Sequence, residues 1–158
     1  MPLSTLWKMR NFGPQDLLQL DPAALRVAAT TAEGVQPDPA KTTLRIGLVE
    51  KDGSKRTLNL ALEEAGHEAP PDATLPWTVL RTDAASSRVL LELRDSLRAH
   101  PEAMPKNASI DVDVFMKERP AAEVKTLHLH VSLRLGADQA WMPLFDGVAI
   151  PVGSRQTL

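Results

Sequence analysis

The 158-residue chain reads as an α+β domain, mainly antiparallel β, either sandwich-like or a one-sided sheet, with one amphipathic helix packed on it. Three observations predict this. Short segments in which apolar and polar residues alternate recur along the chain, as half-buried strands require. One segment, around Val89, Leu90, Leu93 and Leu97, has helical spacing instead. Most of the 13 prolines gather in four stretches, 32–40, 65–76, 100–106 and 119–122, which separate the periodic segments as loops. Strands run together with a single helix between them, so a doubly wound parallel sheet with its strand–helix–strand rhythm is not expected.

The N-terminal 1–20 is mixed and is expected to be loosely ordered, with a short helix beginning at Pro14, where proline suits a first turn. Leu25 to Thr30 reads as a strand. Thr43 to Lys51 is a clearer one, with Leu44, Ile46 and Leu48 on one face, and Thr57 to Glu63 repeats the pattern with Leu58, Leu60 and Leu62. Asp52-Gly53 between them signals a hairpin. A three-residue loop, Asp52-Gly53-Ser54, keeps both apolar faces together and sets Leu48 opposite Leu58 and Ile46 opposite Leu60. Trp77 to Thr82 is a short strand. Asp83 then suits an N-cap, and the stripe Val89, Leu90, Leu93, Leu97 marks the buried face of a helix that ends near His100, because the residue before Pro101 resists helical geometry.

Ser109 to Lys117 and Lys125 to Leu135 alternate most regularly and read as a hairpin, one face apolar and one mostly polar. Trp141 to Val152, broken by Pro143, Asp146-Gly147 and Pro151, reads as edge strands or a short hairpin, and 153–158 as a tail. The chain is therefore one domain, 1–158, of a size that buries a real core.

Composition removes several function classes. A net charge of −2 with no long basic run gives no footprint for nucleic acid. No apolar run approaches the length of a membrane-spanning helix, and the start lacks a signal-peptide pattern. The expected location is the cytoplasm, or the envelope if a targeting segment has been removed. With no cysteine there are no disulfides, thiol nucleophiles or zinc–thiolate sites. Dinucleotide-binding, P-loop, nucleophile-elbow, metalloprotease and calcium-loop motifs are all missing, and no cofactor or metal is expected. The run Asp21 to Val27 has the Ala, Leu and Arg richness of proteins from GC-rich bacteria.

One constellation carries chemistry. Asp111 and Asp113 share the polar face of one strand of the expected second hairpin, and His128 and His130 share that of the other. A connection centred near Pro120 and Ala121 sets Asp113 opposite His128 and Asp111 opposite His130, close enough for cross-strand contact. Such a patch is either a divalent-metal or acid–base site or a solvated face of charge pairs, which is the preferred reading. Phe115 and Trp141, if neighbours, form an anchor for a partner protein. His67 and His100 fall in loops. The functional expectation is a non-catalytic binding or accessory module, in a bacterial cell envelope for instance. The alternative is a small hydrolase working through the Asp/His patch.

Overall fold

The computed structural model describes residues 12–66, 68–117 and 124–151 and the backbone of strand 4–9. In chain order the elements are β1 (Ser4–Met9), α1 (Pro14–Leu17), β2 (Arg26–Thr31), β3 (Thr43–Val49), β4 (Lys55–Glu64), β5 (Thr78–Thr82), α2 (Ala84–Ala99), β6 (Asn107–Phe115), β7 (Thr126–Arg134) and β8 (Met142–Pro151). The strands form one sheet in the order β1-β6-β3-β4-β5-β2-β7-β8, with every neighbouring pair antiparallel. The fold is α+β and mainly β, as the alternation predicts. No helix among the described residues is long and apolar enough to cross a membrane.

The sheet curls so that one face of β2 through β8 shares a single core with Leu90 and Leu97 of α2. Accumulated strand twist makes a flat sheet of this width unfavourable, and curling buries the apolar face without a second sheet. Period-two burial is plain in β3, where Leu44, Ile46 and Leu48 are buried between half-buried neighbours. β2 differs, because all six of its residues are buried. Val27, Ala29 and Thr31 face the core with Leu133, Val131 and Leu129 of β7. Arg26, Ala28 and Thr30 lie on the outer face, where the segment after β4 covers them: the Thr30 hydroxyl donates to the Pro76 carbonyl and Arg26 pairs with Glu68.

The N-terminal segment is held where it is described. Phe12, Leu17 and Leu20 are buried in the core, and the Leu18 and Leu20 carbonyls accept from Arg98 and Arg94 of α2. The tail 153–158 lies outside the described residues.

Three expectations need correction. The β3–β4 hairpin keeps its buried face but is shifted, pairing Ile46 with Leu58 and Leu44 with Leu60. Its three loop residues are Lys51, Asp52 and Gly53, closed by the Glu50 N–H donating to the Ser54 carbonyl at 2.8 Å. The last position of such a loop needs a left-handed residue, and Gly53 supplies it at φ +89°. The expected loop would have put Ser54 there.

In α2, Asp83 caps as expected, its carboxylate accepting from the Ser86 N–H at 2.8 Å, and His100 ends the helix. The buried stripe, however, is Ser86, Leu90 and Leu97, with Leu93 half-buried and Val89 40% exposed. The helix meets the curled sheet along the line through Leu90 and Leu97, and Val89 sits one residue, about 100°, away from it.

The largest correction is that β6 and β7 do not pair. β6 lies between β1 and β3, and β7 between β2 and β8. Alternation sends each strand's apolar face to the core but does not choose its neighbours. Of the expected edge segment, Met142–Pro151 forms one edge strand, β8, bulged twice against β7. Gly147, at φ +79°, is the extra residue of one bulge.

Candidate functional site

The Asp/His patch is not assembled, because β3, β4, β5 and β2 separate its two strands. Asp111 pairs across to Arg45 and Asp113 to Thr43 on β3. Burial pushes the Asp113 carboxyl up, only partly opposed by the charge of Arg45. The two imidazoles take different carboxylates. His128 Nδ1 lies 2.8 Å from Glu33 Oε2, and its backbone N–H donates to Glu33 Oε1. Burial raises the Glu33 carboxyl, but the hydrogen bonds and charge of His128 hold it below the usual range. His130 is tucked against the outer face, edge-on to Trp77 with ring centroids 6.0 Å apart, its Nδ1 3.4 Å from Asp146 Oδ1. Among the described residues no group of three or more His, Asp or Glu side chains can hold a metal ion.

Phe115 and Trp141 are not brought together either. Phe115 ends β6, between β1 and β3, and its carbonyl accepts from the Asp38 N–H. Trp141 precedes β8, at the other end of the strand order, and lies against Arg134 of β7. No ring contact joins the two among the described residues. His100 is an exposed loop residue beside Glu102, and His67 lies outside the described residues.

What the fold does assemble is a row of arginines on the outer face. Arg26 of β2 is the direct partner of Arg134 of β7. The β2–β5 register, Val27 with Leu80 and Ala28 with Val79, continues to set Arg81 on the other side of Arg26. Arg81 is in turn the partner of Glu63 on β4. Neighbouring strands are about 4.8 Å apart, so three guanidinium-bearing positions fall within roughly 10 Å. Like charges directly opposite one another destabilise a sheet, so each cation needs its own compensation.

Arg81 Nε meets Glu63 Oε1 at 3.3 Å, an exposed pair. Arg26, only 7% exposed, donates from Nη1 to the Leu25 carbonyl and from Nη2 to Glu68 Oε1 at 2.9 Å. Arg134 has no carboxylate among the described residues. It donates to the Ala24 carbonyl at 3.4 Å, and its guanidinium lies 5.3 Å from the centre of the Trp141 ring. The hydrogen bond and charge of Arg26 hold the Glu68 carboxyl below its usual range, against the effect of burial, and the charges of Arg134 and Arg81 act in the same direction. One carboxylate therefore feels all three cations.

Two donors remain unused. The Nε–H groups of Arg26 and Arg134 are buried and have no hydrogen-bond partner among the described residues. Buried donors are normally satisfied. Arg45 Nε, Trp77 Nε1 and Asp111 Oδ1 are likewise without a hydrogen-bond partner, but only Arg26 and Arg134 are two guanidiniums directly opposite one another that share such donors. Guanidinium forks suit carboxylate and phosphate oxygens, and arginine stays charged, so it serves neither as base nor as nucleophile. The arrangement can bind and orient an oxyanion. Sequence reasoning missed it because Arg26, Arg81 and Arg134 lie on strands far apart in the chain. The local trace is an arginine opening β2, whose other residues are small or apolar, and another closing β7. No family model, curated protein or solved structure matches the chain.

Proposed function

We propose that the chain is a non-catalytic binding or accessory module that takes an anionic group on the outer face of β5, β2 and β7. One observation carries this reading: three arginines stand in cross-strand register against two carboxylates, with buried Nε–H donors left over on Arg26 and Arg134. Trp141, expected as an anchor for a partner protein, serves in this reading as the wall beside Arg134.

Thermal melting at matched ionic strength tests the proposal. Inorganic phosphate or succinate raises the melting temperature of the wild type, and the shift is lost in Arg134→Gln. A ligand that binds only the folded state stabilises by about 2.7 kcal/mol at 100 times its dissociation constant. Absence of any oxyanion shift, both in the wild type and in a Glu68→Gln variant that frees Arg26, overturns the reading. A shift with zinc, nickel or manganese that disappears in the His128→Gln, His130→Gln variant instead points to metal binding by these two histidines of β7, without Asp111 and Asp113.

A further inference from the structure

The site has an occupant of its own. Glu68 presents one carboxylate oxygen to Arg26, as a ligand would, and its side chain is 30% exposed while that of Arg26 is 9% exposed. The segment that carries it is lightly attached. From 68 to 75 the polar side-chain contacts beyond the segment, among the described residues, are Glu68 with Arg26 and Asp72 with Trp77 and the charge of His130, beside the local Asp72–Thr74 hydrogen bonds. Firm anchoring resumes only at Pro76, whose carbonyl accepts from Thr30, and at Trp77 against His130.

Resting on the reading of this face as an oxyanion site, we infer that Glu68 is an internal stand-in for the ligand, and that a dianionic ligand, a phosphate or a dicarboxylate, binds by displacing it from Arg26. Charge pairing makes exchange the natural route. Simple departure of Glu68 leaves Arg26 as a buried cation without a counter-charge, which is strongly unfavourable. Exchange of one oxyanion for another keeps the guanidinium paired throughout. Charge sets the ligand class. With Glu68 displaced, Arg26 and Arg134 are two neighbouring cations without a carboxylate partner among the described residues, each with an unused Nε–H. A monoanion balances one of them. A dianion balances both. Arg81 keeps its own partner in Glu63 and supplies only long-range attraction.

The test is calorimetric titration of the full chain, wild type and Glu68→Gln, with inorganic phosphate, succinate and acetate, at ionic strength matched with sodium chloride because such contacts are screened by salt. Glu68→Gln removes the competing charge and keeps the shape of the side chain. The expected result is that phosphate, succinate or both bind Glu68→Gln at least tenfold more tightly than the wild type, while acetate gains less. Whichever dianion shows the gain identifies the ligand's oxyanion. Equal affinity in the two proteins overturns the displacement and leaves the site itself standing. No binding by either protein overturns both the displacement and the oxyanion reading. A second measurement needs no variant: in the wild type, saturating phosphate should lower the backbone NMR order parameters across 68–75 as the segment is released. Unchanged or higher order parameters there on phosphate binding refute displacement.

Discussion

Leu90, Leu93 and Val89 lie within five residues of α2 and differ sharply in burial, at 1% exposed, half-buried and 40% exposed respectively. Alanine at each separates the contribution of the helix's core line from that of its flank. Leu→Ala removes three carbons, worth about 2.4 kcal/mol at roughly 0.8 kcal/mol each when buried. At Leu90 the sheet wall cannot collapse fully into the space, and the residual cavity adds about 1–2 kcal/mol, for a total near 3–4 kcal/mol. At Leu93 about half the transfer applies and the space opens to water, so the loss is about 1 kcal/mol. At Val89 the small loss of contact is offset by alanine's better helix propensity, by up to about 0.7 kcal/mol, and the net change is close to zero. Urea unfolding followed by circular dichroism measures all three, with an unchanged m-value confirming that the effect is on stability. For a domain of this length Leu90→Ala should also lower Tm by about 6–16 °C. A loss at Leu90 no larger than that at Val89 would refute the packing of α2 on the sheet.

Two further substitutions probe the turn and the buried carboxyl. Gly53→Ala meets no atom within 4 Å, so its cost is that of a left-handed backbone alone, about 1–2 kcal/mol in urea unfolding; a neutral result would contradict the turn that sets the β3–β4 register. The Asp113 carboxyl is raised in the folded state, so its ionisation opposes folding once pH rises above its ordinary range. Asp113→Asn should therefore raise stability at pH 7, with the gain shrinking as pH falls through the raised folded-state range and gone below about 4, where the carboxyl is protonated in both states; unchanged or lower stability at pH 7 refutes the assignment.

Local patterning carried the elements. Asp83 before a helical stripe, Pro101 after it, and the alternation of Leu44 to Leu48, Ile110 to Met116 and Leu127 to Leu135 are short-range signals, and the structure places a helix and strands there. They arise because side-chain direction repeats every two residues in a strand and every 3.6 in a helix, so a few residues reveal which face is wet. The hairpin register was half legible for the same reason: parity chose the face, but only the left-handed demand on Gly53 chose the position.

Pairing between distant strands has no such period. Ile110, Val112 and Val114 satisfy the core equally well whether β6 lies beside β7 or beside β1 and β3, and so the sequence could suggest an Asp/His face that the sheet order pulls apart. The arginine row shows the reverse. Arg26, Arg81 and Arg134 carry no mutual signal along the chain, because each is a single arginine on its own strand. The chain alone determined secondary structure, burial parity and the α+β class, all set by interactions within a few residues. Strand order, and with it which charges meet across the outer face, was decided only when β2 through β8 curled around one core, since that choice rests on the summed packing of the whole sheet rather than on any segment's own preference.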